Sequence, residues 1–343
     1  MTSNVSIIIC TRNRADSLRQ TMQCFASAVI PAGLRPELLI VDNGSSDHTA
    51  EMVRQHSGGR IPIRYLSEAT PGLSRARNAG MAASRGEVIL FADDDVAPAM
   101  NWLEHISTPL LQRRCEAASG RVELGKELSR PWMTPQHLAW LAIFHGGLRQ
   151  LIGANMGFHR SVLERVPEFD AELGAGASGF AEETLFSWQL LEAGFRLEYI
   201  PEAVVVHHPD PSRLIRSSWL SSARKHGAST AYLCHHWEHQ EVRNPRMRAG
   251  CLQLKLRLRR MAQPPPPPDA EGIAAWEMSY AARLETLRQF LNERRRPRNY
   301  SKRGLRKLRP ESNEQTCPSS AKVESAAGQR SIRADDPSFG TFQ

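Results

Sequence analysis

The chain has 343 residues and a formal net charge of +8, and 41% of its residues are hydrophobic, which is typical of a globular protein with a sizeable core. Its six cysteines include no CxxC pair, which argues against a zinc ribbon or a disulfide framework, and no apolar stretch approaches the roughly 18 residues of a membrane-spanning helix. We therefore expect a cytoplasmic protein in a reducing compartment, without a transmembrane segment.

Predicted strands and helices alternate in the first part of the chain. Helical spacing of apolar residues predicts helices at residues 15–28, 49–55 and 73–84. Short apolar runs predict strands at residues 5–10, 37–41, 61–66 and 87–92. This alternation is typical of an α/β fold with a mostly parallel sheet flanked by helices.

Polar clusters follow three of these strands. Residues 11–14 follow the first strand, residues 42–47 follow the second, and Asp93, Asp94 and Asp95 follow the fourth. Open α/β sheets bind ligands beyond the carboxyl ends of their strands. We therefore expect the three clusters to meet in one crevice.

The second part of the chain starts with one more α/β pattern and then becomes basic. A helix is predicted at residues 184–192, and the run YIPEAVVVHHP contains a strand. After about residue 211 the pattern is helical, with a stiff proline-rich linker at residues 264–268 and a further helix at 274–293. Residues 294–343 are polar, basic and poor in aromatics, and we expect them to be disordered.

The three aspartates are the first candidate site. Divalent cations such as Mg²⁺ prefer oxygen ligands, and one or two carboxylates that directly follow a buried strand can hold a cation against a diphosphate. The alternative is a loop of solvated charges or a helix N-cap. The buried strand before the cluster favours metal or nucleotide binding.

Five stretches of the chain resemble, in order and spacing, the inverting family 2 glycosyltransferases with the GT-A fold. They are VSIIICTRNR, LLIVDNGSSDHTA, PGLSRARNAGMAASRGEVILFADDDV, GANMGFHR and GFAEETLFSWQLLEAGFRLEYIPEAVVVHH, which together span about residues 4–210. Such an ordered set is more specific than any single motif. The resemblance implies a GT-A domain at residues 1–210, before a basic helical extension at 211–293 and the tail at 294–343.

The resemblance also implies a reaction and its ligands. A sugar would move from a nucleotide-sugar donor to a saccharide or lipid-linked acceptor, with a divalent metal, Mn²⁺ or Mg²⁺, as cofactor. Asp95 would be the main metal ligand, joined by Asp93 and by His207, for which His208 is an alternative. The residues that would contact the nucleotide sugar are Thr11, Asn13, Asp42, Arg75, Arg77, Asn78, Asp93 and Asp94.

Two of these assignments have alternatives of their own. Arg75 and Arg77 lie two residues apart on a predicted helix and therefore face different sides, so we expect only one, Arg77, to reach the ligand. The alternative for both is a solvated helix face. Asp42 could instead be the first residue of an Asx turn in the loop DNGSSD.

Inversion at the anomeric carbon requires a base that removes the proton of the acceptor hydroxyl. By the resemblance, this base is the second residue of an acidic pair at the start of a helix, which here is Glu182–Glu183 where the family usually has Glu-Asp. We expect Glu183 to be the base and Glu182 its positioning neighbour. The alternative is a pair of carboxylates favoured by the helix dipole alone.

The basic C-terminal half suggests an anionic partner. The segment LKLRLRR fits peripheral contact with an anionic membrane surface, and a solvated helical cap is the alternative.

A nucleotidyltransferase-like enzyme would normally carry a glycine-rich loop with a lysine near the N-terminus, which CTRNRADS lacks. A nucleic-acid-binding protein would leave the acidic clusters unexplained, because acidic pockets repel phosphate, and we do not expect nucleic acid as a partner.

Overall fold

A mixed eight-stranded sheet forms the centre of the described part of the chain, which comprises residues 3–56, 59–147 and 149–308 of a computed structural model. The strands are β1 (Ser3–Thr11), β2 (Leu34–Asp42), β3 (Ile63–Ser67), β4 (Val88–Ala92), β5 (Val96–Pro98), β6 (Ala117–Leu124), β7 (Asn155–His159) and β8 (Leu197–His207). Their spatial order is β3-β2-β1-β4-β7-β6-β8-β5.

The first four strands pair in parallel, as the alternating pattern predicts. β1 lies between β2 and β4, and β3 extends the sheet beyond β2. The other half of the sheet is mixed, because β7 runs antiparallel to both β4 and β6, and β5 runs antiparallel to β8. β6 and β8 are parallel. The carboxyl ends of β1, β2 and β4 therefore lie along one edge, where the polar clusters follow.

The helices of the described residues cover both faces of the sheet. They are α1 (Ala15–Ala26), α2 (Thr49–Gln55), α3 (Leu73–Ala83), α4 (Trp102–Leu111), α5 (Pro135–Trp140), α6 (Glu182–Glu192), α7 (Arg216–His236), α8 (Pro245–Ala262) and α9 (Ala275–Glu293). Among these residues no helix combines the length and the apolar composition that a membrane crossing needs.

Side-chain alternation along β1 divides the core into two layers, because successive residues of a strand point to opposite faces. Ile7 and Ile9 pack with α1 and α4, in a layer that includes Phe25 and Trp102. Ile8 packs on the opposite face with α3 and α6, in a layer that includes Phe186. The two layers fix α3 and α6 on the same side of the sheet, which places their first turns near each other.

The three C-terminal helices pack on one another through a buried carboxylate. Glu277 of α9 is 1% exposed and accepts hydrogen bonds from Arg216 of α7 and from Arg260 of α8. A buried carboxylate requires such partners, because its desolvation is otherwise costly. Gly227 of α7 allows a close approach to α9, since a side chain there would meet the backbone of Ala282.

Residues 294–308, which the composition predicts to be disordered, lie against the rest of the described chain. Tyr300 is buried and donates a hydrogen bond of 2.7 Å to Asp170, which also accepts one from Tyr232 of α7. Lys307 forms an ion pair of 2.6 Å with the other oxygen of Asp170. These partners lie more than 100 residues away in sequence, which local composition cannot reveal.

The rest of the predicted tail, residues 309–343, lies outside the described residues. The boundary predicted at residue 210 stays a prediction, because the described residues up to 308 fall within one unit of mutual contacts.

Candidate active site

Asp94 joins the end of β4 to the loop after β1. Its side chain accepts a hydrogen bond of 2.7 Å from the hydroxyl of Thr11 and another of 2.7 Å from Arg14. The same guanidinium nitrogen of Arg14 donates to Asp95 at 2.8 Å. The two polar clusters therefore meet, as the sheet topology predicts, and Arg14 binds two of the three aspartates.

Asp95 faces His207 at the end of β8. The Nδ1 atom of His207 donates to the carbonyl oxygen of Leu141 at 2.8 Å, which leaves Nε2 directed to the carboxylate, 3.1 Å from Asp95 Oδ1. This buried oxygen accepts no hydrogen bond from a described residue. An acceptor oxygen beside the lone pair of a neutral imidazole is the arrangement of two ligands of one cation, and a protonated imidazole would give an ion pair instead.

Asp93 completes a group of three potential ligands. One ligand atom each from Asp93, Asp95 and His207 lie within 4.8 Å of one another, and the Asp93 side chain is 34% exposed. His208, the alternative to His207, is exposed and binds Glu127 instead. The residues present therefore fit a divalent cation with oxygen and imidazole ligands.

Burial and neighbouring charges act on the pKa of each aspartate. Burial raises the pKa of Asp94 to about 6, although Arg14 opposes this effect. Burial also favours the neutral form of Asp95, but a protonated His207, through a hydrogen bond and its charge, and then Arg14 outweigh burial and lower the pKa to about 2. Burial and then the charge of Asp95 raise the pKa of Asp93. Asp95 is thus the member of the cluster that is held most firmly as a carboxylate.

Arg77 connects the aspartates to the acidic pair at the start of α6. Its Nη1 atom donates to Glu182 at 2.6 Å, and its Nη2 atom lies 3.9 Å from Asp93. The guanidinium lies over the rings of Phe169 and Phe91, with its central carbon 5.5 and 5.9 Å from their centroids. Arg77 and Glu182 are almost completely buried, so one guanidinium balances negative charge from both groups.

Glu183, next to Glu182, has no such partner. Its Oε2 atom is buried and accepts no hydrogen bond from a described residue. Burial and the charge of Glu182 raise the pKa of Glu183 to about 8, although Arg77 opposes them. Ala181, just before the pair, has a left-handed backbone with φ of 73°. The two adjacent carboxylates thus have different surroundings, and Glu183 keeps a buried oxygen that accepts no hydrogen bond from a described residue.

Asp42 and Asn13 connect the loops after β1 and β2. Asp42 accepts hydrogen bonds from the hydroxyl of Tyr65 at 2.7 Å and from the backbone of Ser45 at 2.8 Å, the latter a turn contact of the kind weighed as its alternative. Asn13 accepts one from the backbone of Ser46 at 2.7 Å. Contact of Thr11, Asn13 and Asp42 with a nucleotide stays a prediction.

The sequence profile described as Glycosyl transferase family 2 matches residues 6–166. This part of the chain belongs to that family. The matched region contains the aspartate cluster and Arg77, and it ends before the acidic pair at the start of α6 and before His207. The chain has the GT-A fold: the mixed half of its sheet continues the parallel half, and strand β8 lies beyond the matched residues.

Curated relatives match this chain over only part of their own length. The glycosyltransferase AglE of Haloferax volcanii is 33% identical over 120 residues, which is 35% of this chain and 39% of the relative. The pre-mycofactocin glycosyltransferase of Mycobacterium tuberculosis is 26% identical over 251 residues, 67% of this chain and 47% of the relative. The chain thus spans half or less of the length of these relatives.

Among solved structures, the family 2 domain is similar to the mannosyltransferase PcManGT of Pyrobaculum calidifontis, determined in complex with GDP-Man and Mn²⁺. The TM-score is 0.51 at 20% sequence identity, and the match covers 67% of this chain and 63% of that chain. At this level of identity the likeness concerns the fold alone.

Arg75 and Asn78 lie on α3 and were also predicted to bind the nucleotide, but their surroundings differ from those of Arg77. Arg75 is exposed, as its position two residues from Arg77 predicts. The side-chain amide of Asn78 donates to the carbonyl of Phe169 and accepts from its backbone nitrogen, both at 2.8 Å. These contacts join α3 to the segment before α6 and account for Asn78 structurally, so a nucleotide contact of Asn78 has no support from its hydrogen bonds.

Sequence reasoning included Arg14 only as part of the loop at residues 11–14, and it missed Arg213. Arg213, six residues after β8, is half-buried, and no hydrogen bond or ion pair joins its guanidinium to another described residue. Burial lowers its pKa, while Asp95 and Asp93 act in the other direction as nearby charges. An arginine that follows a strand at the ligand-binding edge was the available sequence signal. Its unpaired guanidinium beside the aspartates is suited to an anion.

An aromatic stack supports the loop that carries the acidic pair. The ring of His226 on α7 stacks between Phe180 and Trp140, with centroid distances of 3.8 and 4.3 Å. Burial lowers the pKa of His226 to about 3, so the ring is neutral. Phe180 directly precedes Ala181, and the stack therefore holds the backbone from which Glu182 and Glu183 start.

A cavity of about 540 Å³ opens on the α1 side of the aspartates. Its lining includes Arg14, Gln20, His48, Asp95, His208 and Asp210. Neither Glu182 nor Glu183 lines it. The cavity therefore reaches Asp95 of the candidate metal centre but not Glu183, the candidate base. We do not assign it to the reacting groups.

Proposed function

We propose that the chain is a metal-dependent, inverting glycosyltransferase that moves a sugar from a nucleotide-sugar donor to a hydroxyl of a saccharide or lipid-linked acceptor. The observation that carries the proposal is the position of Arg77 between two acidic groups with different properties. On one side are Asp93, Asp95 and His207, a set of potential metal ligands; on the other is Glu183, a carboxylate with a raised pKa.

Asp93, Asp95 and His207 would hold the metal, Mn²⁺ or Mg²⁺. The fit rests on Asp95 Oδ1, a buried oxygen without a hydrogen bond from a described residue, and on the orientation of His207 by Leu141. A divalent metal bound there supplies positive charge to the diphosphate as it leaves the sugar. The similar mannosyltransferase of known structure binds GDP-Man and Mn²⁺, which supports the same ligand classes here.

Glu183 would act as the base. Its unpaired Oε2 accepts the proton of the acceptor hydroxyl while that oxygen attacks the anomeric carbon from the face opposite the diphosphate. A bond forms between the acceptor oxygen and the sugar, and the bond to the diphosphate breaks with its electron pair on the departing oxygen, which inverts the configuration. A base with a pKa of about 8 can accept this proton near neutral pH.

The remaining residues would bind the donor. Arg213 has an unpaired guanidinium near the aspartates, and we assign it to the diphosphate, because guanidinium groups bind phosphate through paired hydrogen bonds. Thr11, Asn13 and Asp42 lie at the ends of β1 and β2, where they would contact the nucleoside. Arg77 would not bind the donor itself but would hold Glu182 and Asp93 in position through its guanidinium.

Metal-dependent donor binding tests the proposal. The purified chain is heated with Mn²⁺ or Mg²⁺, with a panel of sugar nucleotides, and with both together. We expect at least one sugar nucleotide to raise the unfolding temperature in the presence of metal and to have little effect in its absence. Asp95→Asn should remove the difference. A chain that no sugar nucleotide stabilises with either metal would refute the proposed function.

A further inference from the structure

Helix α8 exposes large apolar side chains to solvent. Met247, Leu254, Leu258 and Met261 are 63%, 58%, 56% and 78% exposed. Within the described residues the exposed large hydrophobic side chains number seven: these four and Val29, Met100 and Leu308. More than half of these exposed hydrophobic side chains therefore lie on one helix, whereas scattered single residues are the normal pattern on protein surfaces.

The exposed apolar residues of α8 form a single stripe. Residues 247, 251, 254, 258 and 261 follow one another at intervals of four, three, four and three. With about 100° per residue, they fall within an arc of about 80° on the helix. Leu256, which is 6% exposed, lies on the opposite side. The apolar stripe, residues 247, 251, 254, 258 and 261, is thus not the face by which α8 packs on α9.

Cations flank the stripe on both sides. α8 contains six lysines and arginines and no acidic residue between Pro245 and Ala262. By the same helical geometry, Lys255 lies on one side of the stripe and Arg246 and Arg257 on the other. These three side chains are exposed and form no ion pair with a described residue. In contrast, Arg260 binds Glu277, which belongs to the packing face.

We propose that α8 lies on an anionic lipid surface, parallel to it. The apolar stripe enters the boundary between headgroups and acyl chains, and Arg246, Lys255 and Arg257 contact lipid phosphates. A helix with an apolar face, flanking cations and no acids has the composition of an interfacial helix. The proposal goes beyond the transfer reaction, and it favours a lipid-linked acceptor over a soluble saccharide.

Two other occupants fit the stripe less well. A second copy of the chain could pair along the four-three spacing, as in a coiled coil, but two α8 helices would bring cations together without any acid to balance them. A nucleic acid would satisfy the cations but would leave the leucines and methionines in water. An anionic bilayer is the partner that satisfies both the charge and the apolar surface.

Vesicle binding by the full chain tests the proposal without donor, metal or acceptor, so its result is independent of the proposed function. The protein is sedimented with vesicles of phosphatidylcholine alone and of phosphatidylcholine mixed with phosphatidylglycerol. We expect binding to the mixed vesicles only, weakened by salt. Leu254→Gln with Leu258→Gln, and separately Lys255→Gln with Arg257→Gln, should each lower the affinity on the order of tenfold.

Matched controls change the same residue types elsewhere. Val29→Gln with Met100→Gln, and Arg35→Gln with Arg224→Gln, should bind vesicles like the unmodified chain, and thermal unfolding shows that all variants are folded. Equal binding to both vesicle types would overturn the proposal, as would α8 variants that bind like their controls. A dimer in analytical ultracentrifugation that the leucine variant abolishes, without a change in vesicle binding, would assign the stripe to a second copy.

Discussion

Arg77 of α3 and Glu182 of α6 form an ion pair of 2.6 Å between side chains that are 3% and 5% exposed. The two residues lie 105 positions apart in the chain. Their contact joins α3 to the start of α6 beside the candidate metal centre. Arg77 also lowers the pKa of the neighbouring Glu183, but burial and the charge of Glu182 raise it by more.

Removal of this arginine should destabilise the fold strongly. In Arg77→Gln the carboxylate of Glu182 stays buried without its partner, which typically costs about 3 to 5 kcal/mol of unfolding free energy. Urea unfolding measures the loss. The exposed Arg75→Gln is the matched control on the same helix and should change the free energy of unfolding by less than about 0.5 kcal/mol. Equal effects of the two substitutions would contradict the structural role of the pair.

Glu183→Gln should abolish sugar transfer while donor binding survives. Loss of a general base typically lowers the rate about 10²- to 10⁴-fold, and the amide keeps the size of the side chain. Turnover is measured alongside calorimetric donor affinity. Glu192→Gln at the other end of α6 should retain the rate. A Glu183→Gln variant that loses donor affinity and rate together would point to a binding role instead.

The rate should depend on pH through Glu183. A base must be ionised to accept a proton, and burial raises the pKa of this carboxyl to about 8. The rate constant should therefore rise about tenfold per pH unit below that value and level off above it. A profile that is flat between the ordinary carboxyl range and pH 8 would exclude Glu183 as the base.

The free energy of unfolding should depend on pH in the opposite direction to the rate. The folded pKa of Glu183 is raised from 4.5 to about 8, so the folded state keeps a proton that the unfolded chain releases. The free energy of unfolding therefore falls as the pH rises from 4.5 to about 8 and then stays level. Glu183→Gln lacks this contribution and should gain stability relative to the unmodified chain across that range, as measured by urea unfolding at several pH values. If Glu183→Gln gains no stability relative to the unmodified chain, the pKa of Glu183 is not raised in the folded state.

Asp95→Asn should weaken metal binding by more than about tenfold, because an amide is a poorer ligand than a carboxylate. Mn²⁺ binding is followed by electron paramagnetic resonance, with no donor present. Glu104→Gln, an exposed change on α4, is the control and should bind Mn²⁺ like the unmodified chain. His207→Ala should also weaken binding, and an unchanged affinity in both site variants would place the metal elsewhere.

Arg213→Gln should weaken binding of nucleoside diphosphates about tenfold, the loss expected for a hydrogen bond to a charged group. Nucleoside monophosphate affinity should change less, because we assign Arg213 to the diphosphate rather than to the nucleoside. Calorimetry with both ligands measures the ratio. Arg224→Gln, on the exposed side of α7, is the control. An equal loss for both ligands would argue for a general electrostatic effect.

Much of the nucleotide half of the fold is predictable from local sequence. The strands and helices up to β4 occur within a few residues of their predicted bounds, because the burial of one face sets the spacing of apolar residues. Asp93, Asp95 and the pair Glu182–Glu183 are found at the predicted ends of their elements. The strand in YIPEAVVVHHP was also predicted and is β8, but β5, β6 and β7 were not, nor was the antiparallel pairing in this half of the sheet, since strand pairing depends on contacts between distant segments.

By itself, the sequence determined which chemical groups stand at the ends of the strands and at the start of α6, because those positions follow from local periodicity. Only the tertiary structure decided which of them are neutralised and which stay available. It buried Arg77 against Glu182, left Asp95 Oδ1 and Glu183 Oε2 without hydrogen bonds from described residues, and directed His207 rather than His208 to the aspartates. The physical reason is that burial and pairing depend on partners many residues away.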